Sequence, residues 1–284
     1  STVDRSRPTS KRSSRSSEAK SFRHRRVNNM TIKSISVACF VCLVAIQPAR
    51  AYENGYQIEL EAGGFWQSRN LAQSPNRDSA TTPIGTRFSF KSLQGSGPSP
   101  YFRVSGAYTW NDRHRVHVLY APLKIVGTDR LEEPVSFQGI SFASGELTRA
   151  LYRFDSYRIG YRYRLYDSDS WQMWVGATVK LRDANISLSQ GSIIANRANT
   201  GPVPLLSVYV RKSISTRWSS ILEVEGLAAP QGRALDAAVK LRYQFENGAG
   251  VSAGYRMLEG GADNKKVYTF AWMHYGLVSF DYRF

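Results

Sequence analysis

The final seventeen residues, 268–284 (YTFAWMHYGLVSFDYRF), constrain the fold of this chain more than any other stretch. Even positions carry Tyr268, Phe270, Trp272, His274, Gly276, Val278, Phe280, Tyr282 and Phe284. Odd positions carry Thr269, Ala271, Met273, Tyr275, Leu277, Ser279, Asp281 and Arg283. A period of two is the repeat of a β-strand, not of a helix. One face is oily and the other ends in charge, so the charged face is the wrong one to bury in an ordinary sandwich core. An oily outside around a polar inside is the pattern of a transmembrane barrel.

The same alternation recurs between turn-rich breaks. Compact polar turns fall at 111–114 (NDRH), 167–170 (DSDS), 214–217 (ISTR) and 246–249 (ENGA), and longer or Gly-rich connections at 67–100, 127–149, 189–201, 229–233 and 260–267. The spacing predicts ten strands, near 56–66, 101–110, 114–126, 150–166, 171–184, 203–213, 218–228, 234–245, 250–259 and 268–284, with 8 and 12 as the alternative counts. Short turns at one end and longer loops at the other are the habit of bacterial barrels, the short ones being periplasmic. The alternating stretch 86–93 is expected to extend above the membrane rather than cross it. Tyr56, Tyr108, Trp110, Tyr163, Tyr166, Trp171, Trp218, Tyr243 and Phe245 join the terminal aromatics at the periplasmic strand ends, where an interfacial girdle belongs. The expected fold is therefore all-β: a single antiparallel transmembrane β-barrel.

Net charge is +16, from 38 Lys and Arg against 22 Asp and Glu, but nine of those bases and two of those acids lie in residues 1–29, a Ser- and Arg-rich segment with too little apolar surface to fold. Met30, Lys33, an apolar run at 35–46 and Ala49-Arg50-Ala51 then read as a secretory signal peptide over 30–51, cleaved after Ala51. The run is too short to span as a helix. Residues 1–29 are expected to be disordered and to lie upstream of the true start, and 52–284 to form the exported barrel. A basic arm followed by an export signal argues against nucleic acid as a partner. Both cysteines, Cys39 and Cys42, sit in the apolar run, which leaves 52–284 without disulfides or thiolate metal sites. Ser36 stands where lipid attachment at Cys39 would want a large aliphatic residue.

Strand parity turns a set of charges inward: Glu59, Glu61, Glu223, Glu225, Asp236 and Asp281 against Arg103, Arg115, Arg158, Arg162, Arg164, Lys180, Arg182, Arg211, Lys240, Arg242, Arg256 and Arg283. A barrel of about ten strands is filled by its own side chains, and charges withdrawn from water must pair. A cross-lumen charge network is the expectation. Arginines left over, foremost Arg158, Arg162, Arg164 and Arg182, would draw anions into a narrow passage through their bidentate fork. His114 lies in a turn, His117 faces the lumen beside Arg115, and His274 lies on the oily face. A spacing of three does not put His114 and His117 on one strand face, so neither a metal site nor any other cofactor is expected. No phosphate loop, His-Glu-x-x-His element or nucleophile elbow is present. Arg149, Arg153, Asp155, Asp183, Arg233, Glu259 and Asp263 read as solvated rim charges or contacts to lipopolysaccharide phosphates.

With an export signal, ten alternating segments and the ending Phe280-Asp281-Tyr282-Arg283-Phe284, the chain resembles the small outer-membrane β-barrels of Gram-negative bacteria. The resemblance implies that Phe280, Tyr282 and Phe284 form the signal presented to the barrel assembly machinery. It also implies outer-membrane lipid and lipopolysaccharide as surroundings, and a monomer. Activities in that class range from passive barrels and pores to lipid A deacylases, palmitoyl transferases, phospholipases and omptin proteases. A lipid A deacylase places a His and a Ser two residues apart on a lipid-facing strand, whereas His274 is followed at that spacing by Gly276. The expected function is structural or surface-binding, without catalysis and with a narrow, charge-filled lumen. The alternatives are a small anion-preferring pore and an outer-membrane lipid-modifying enzyme. Specificity is expected in the first loop, since exposed loops on a rigid scaffold carry binding.

Overall fold

The computed structural model describes residues 54–77, 83–94 and 97–284. The basic segment and the signal peptide, with Ala49 and Ala51, lie outside the described residues. In chain order the elements are β1 (Gly55–Gln73), β2 (Phe88–Ser89), α1 (Phe90–Gln94), β3 (Ser99–Trp110), β4 (His114–Ala121), β5 (Lys124–Arg130), β6 (Val135–Phe137), β7 (Ile140–Phe142), β8 (Leu147–Asp167), β9 (Trp171–Gln190), β10 (Ile193–Ser213), β11 (Trp218–Ala229), β12 (Gly232–Gln244), β13 (Ala249–Asp263) and β14 (Tyr268–Arg283). Ten staves form one closed antiparallel barrel, because β4 and β5 are a single stave interrupted at Pro122 and β2 is a short strip on the top of β1. The closing ladder runs from Gln57↔Arg283 to Gln73↔Tyr268 between β1 and β14. No helix among the described residues is long and apolar enough to cross a membrane.

Alternation decides which way each side chain points. In β14 the odd residues Ala271, Met273, Tyr275, Leu277, Ser279 and Asp281 are buried, while Val278 is 60% and Phe280 48% exposed. Leu60, Ile159, Val179 and Val239 are likewise more than half exposed on the outer surface. An apolar belt of that kind belongs against hydrocarbon. At its lower edge Phe284, Tyr56, Tyr108, Trp110 and His114 form a chain of ring contacts at 5.7, 4.6, 6.0 and 5.2 Å. Trp218, Tyr243 and Phe245 continue the girdle on the opposite wall. A bulge between Arg164 and Tyr166 leaves both Leu165 and Tyr166 exposed.

The compact turns fall where the sequence places them. Asn111 and Asp112 both take left-handed backbone (φ 48° and 54°), the geometry of a tight hairpin whose twist matches its strands. The expected longer connections differ in kind. Residues 189–201 are not a loop: β9 and β10 continue to a two-residue hairpin at Gly191-Ser192, with Gly191 at φ 58°. Above the hydrocarbon a strand no longer needs an oily face, so its alternation fades although its ladder continues. Residues 127–149 contain the rest of β5, the β6–β7 hairpin and the start of β8. Stretch 86–93 is strand only at β2, which pairs with Leu71 and Ala72, and then turns into α1, where Phe90 and Leu93, three apart, are both buried.

Those loop segments fold into the outer end of the barrel. Phe88 contacts Phe90 at 5.2 Å and Phe137 at 5.6 Å, and Phe90 reaches Tyr152 at 5.4 Å. Below them Tyr275 meets Phe65 and Tyr101 at 5.5 and 4.7 Å. Backbone bonds lock the two loops together: the Thr86 amide donates to Ser136 O at 2.7 Å and the Gln138 amide to Ser74 O at 2.8 Å. Helix α1 lies on the backbone of β5, where a Cβ at Gly127 would sit 2.1 Å from Leu93 O. The outer half of the lumen thus holds an apolar plug, whereas the sequence pointed to charge throughout.

Candidate functional site: a charge network with two basic mouths

Mid-barrel, five acids and five bases from six staves form one continuous network. Arg256 of β13 bridges Glu61 (2.8 Å), Asp236 (2.6 Å) and Glu223 (3.0 Å). Asp236 also receives Arg103 at 3.0 Å and Arg158 at 2.8 Å. Lys240 is held by Glu59 at 2.7 Å and by Glu61 and Glu223 at 3.2 Å each. Glu225 takes Arg158 at 2.7 Å and Arg162 at 3.2 Å, with further bonds from Thr178 at 2.8 Å and Ser207 at 3.3 Å. Tyr101 donates to Glu61 at 3.2 Å. Glu61, Glu223, Glu225 and Asp236 therefore each face two or more cations and Glu59 faces Lys240, the pairing a buried charge requires if its desolvation is to be offset. The remaining internal space at this level is about 90 Å³.

His117 belongs to this network although the sequence reading gave it no role there. Its Nε2 lies 3.1 Å from Glu225 Oε1. The signal was its cross-strand partner: His117 faces Gly160 on β8, and a Cβ there would lie 2.3 Å from the imidazole Cε1. Only the missing side chain makes room for the ring.

The other inward charges divide between the two ends. Arg242 and Asp281 form a separate bidentate pair at 2.7 and 2.6 Å toward the periplasmic end. Near it a vestibule of about 270 Å³ is lined by Arg115, Arg164, Arg211 and Arg283. Arg164 leans on the turn acids Asp112 (3.7 Å) and Asp167 (3.3 Å). Arg115 donates to Gln57 at 2.6 Å and Arg211 to Gln244 at 3.2 Å, and neither they nor Arg283 have an ion pair among the described residues. At the outer end Lys180 and Arg182 line a second cavity of about 410 Å³. Arg158 and Arg162, expected as anion attractors, are instead consumed by Glu225, and the surplus cations sit at the two mouths.

Five of the seven charges expected at the rim pair with one another; Arg149 forms no ion pair among the described residues, and Asp263 bonds a neutral amide. Arg153 bonds Asp183 at 2.9 Å, with Asp155 at 3.9 Å, Arg233 bonds Glu259 at 2.6 Å, and Asp263 accepts from Asn76 at 2.8 Å. Phe280, Tyr282 and Phe284 are all outward and exposed. His274, on the oily face, has more company than its sequence neighbours suggest. Its ring stacks with Trp66 and Trp272 at 5.8 and 5.7 Å, Nδ1 bonds the Tyr255 hydroxyl, and Nε2 lies 3.1 Å from Ser68 Oγ. Ser68 sits at the register shift between Gln67 and Arg69, and its one hydroxyl proton has two acceptors in reach, His274 Nε2 and Trp272 O at 3.3 Å. No group of three or more His, Cys, Asp or Glu with the geometry to hold a metal ion occurs among the described residues.

No protein-family model matches the chain, and no curated protein matches it. Among solved structures it is similar to the outer membrane protease OmpT from Escherichia coli, at 7% identity over 81% of this chain and 97% of that one, with a TM-score of 0.45. It is similar to Ail, the attachment invasion locus protein of Yersinia pestis, in complex with the heparin analogue sucrose octasulfate, at 9% identity over 82% and 99%, TM-score 0.37. It is also similar to the P. putida toluene transporter TodX, at 10% identity over 81% and 90%, TM-score 0.32. Likenesses of that size transfer none of those proteins' activities to this chain.

Proposed function

We propose that the chain is a bacterial outer-membrane β-barrel with a structural or binding role and a lumen closed to passive flow. The observation that carries this reading is the paired layer of Glu59, Glu61, Glu223, Glu225 and Asp236 with Arg103, Arg158, Arg162, Lys240 and Arg256, which leaves about 90 Å³ at the barrel's middle. An ion crossing it would have to break buried charge pairs, each held by several partners. The apolar plug above adds a second obstruction. Export by the signal peptide, delivery by the assembly machinery through Phe280, Tyr282 and Phe284, and a monomer surrounded by lipid and lipopolysaccharide complete the reading. Purified protein in planar bilayers is expected to give no discrete conductance steps. Reproducible steps with an anion-selective reversal potential would replace this reading with the small anion pore.

A second reading, lipid modification, is favoured by one observation, the Ser68–His274 contact on the outward face at 3.1 Å. Serine becomes a nucleophile when an adjacent base takes its proton. In that reading Ser68 Oγ attacks an ester carbonyl, His274 Nε2 takes its proton and passes it to the departing alkoxide, and water then releases the acyl group from Ser68. Lipid profiles from cells making the protein, its Ser68→Ala variant and neither are the test. Three identical profiles would remove the reading; a hydrolysed lipid present only with intact Ser68 would promote it to first place.

A further inference from the structure

Two prolines-bearing breaks interrupt the wall of the barrel, and only one is sealed. At Pro122 the β4–β5 stave leaves β3, and α1 packs into that place against Gly127. The other break lies between β10 and β11. Their ladder stops at Leu206↔Gly226, although β11 continues to Ala229 and β10 pairs with β9 alone from Ile193 to Leu205. Pro202 and Pro204 occupy this freed stretch of β10 and have no N–H to donate to a neighbour. Their cross-strand partners on β9 are Leu181 and Val179, both about half exposed on the apolar outer surface. Two residue pairs above Pro202, Thr200↔Asp183 begins the polar rim, where Arg153 pairs with Asp183. The split therefore sits in the apolar belt just under its outer edge.

Behind the split lies the cavity of about 410 Å³, bordered by Pro202, Val203, Pro204, Leu227 and Ala229 from the two parted strands. Phe154, Leu258 and Ala271 supply further apolar wall; of its charged lining Arg233 and Glu259 pair with each other at 2.6 Å, which leaves Lys180 and Arg182 as the cations without an acidic partner. Lys180 is 3% exposed, contacts the Phe154 ring at 5.1 Å, and forms no hydrogen bond or ion pair among the described residues. Arg182 bonds only the Asn199 side chain, and its buried Nε has no partner. A buried cation that the fold leaves without an anion is a costly arrangement in an empty site.

We infer that this cavity binds an amphiphile carrying one carboxylate or phosphate group and an apolar chain, admitted from the outer leaflet between β10 and β11. The anionic group meets Lys180 and Arg182, and the chain lies along Val203, Leu227 and Leu258. The inference rests on the barrel lying in an outer membrane, but not on whether its lumen conducts.

The test uses the full chain in phosphatidylcholine nanodiscs, with radiolabelled palmitate and dodecyl phosphate as the two probes and hexadecanol as the neutral control. Saturable binding of an anionic probe is expected, at least about tenfold weaker in Lys180→Gln and in Arg182→Gln. Binding of palmitate alone assigns a fatty acid, and of dodecyl phosphate alone a lipid phosphate. Because Lys180 has no carboxylate partner, Lys180→Gln strands no opposite charge and is expected to fold. A Leu205→Cys/Leu227→Cys pair, one step beyond the last ladder bond and made with Cys39 and Cys42 replaced by serine, is expected to block uptake when oxidised and restore it when reduced. A chain that inserts and shows heat-modifiable mobility yet binds neither probe, or binds hexadecanol as tightly and ignores both substitutions, overturns the inference. A chain that does not insert overturns the barrel reading instead, and the site with it.

Discussion

Asp236→Ala is expected to cost about 3–5 kcal/mol of barrel stability, because removing one partner from a buried ionic cluster leaves the others uncompensated. Asp236 is 4% exposed and accepts from Arg103, Arg158 and Arg256 together, so its loss takes one acidic partner from three guanidinium groups in a confined space. Glu61 and Glu223 still hold Arg256, and Glu225 still holds Arg158, which keeps the loss from extending to the whole network. The measurement is the denaturant midpoint of the folded, heat-modifiable form in detergent or lipid. A midpoint equal to that of the unaltered protein would mean that the network contributes nothing to closure. Asp236→Asn keeps the shape and part of the hydrogen bonding while removing the charge. Its midpoint is expected to fall between those of the alanine variant and the parent.

Phe137→Ala has a comparable free-energy cost with a different readout. The ring is fully buried against Phe88, and large-to-small changes at such aromatic positions cost about 3–5 kcal/mol. Phe137 belongs to the plug, not to a stave, so the expectation is release of the β6–β7 hairpin with the barrel left intact. Limited proteolysis between residues 131 and 146 should become rapid while the global unfolding midpoint moves little. Proteolysis unchanged from the parent would mean that the Thr86–Ser136 and Gln138–Ser74 backbone bonds hold the loop without the ring.

Which charges point inward was legible, because parity in a strand is binary and an oily outer face leaves no choice of register. Which inward charges meet was not, since the partner of Lys240 across the lumen is set by strand tilt and stagger, and these leave no trace along a single strand. Lys180 shows the difference: it shares a face with the network's members and lies directly across the ladder from Arg158, yet pairs with none of the acids. His117 was recoverable from the glycine opposite it at position 160. The plug left a plainer signal, since Phe88, Phe90, Leu131, Val135, Phe137 and Phe142 are too apolar for loops left in water. Length alone assigned them to connections, and neither period could reveal that they fold inward. The continuation of β9 and β10 was hidden for the opposite reason, as a ladder outside lipid can be polar on both faces.

The seam between β1 and β14 has a consequence for the order of assembly. Gln57 and Asp281, hydrogen-bonded across it at 3.3 Å, are 224 positions apart in the chain. Glu59 and Glu61 reach Lys240 and Arg256 only when β1 arrives at its place beside β14. Until that moment the two cations have Glu223 and Asp236 alone, and Tyr101 and Arg103 on β3 are still outside the ring. Zipping the last edge and completing the charge network are therefore one event, in which the share of the electrostatic reward that Glu59 and Glu61 carry is withheld until the first strand meets the last.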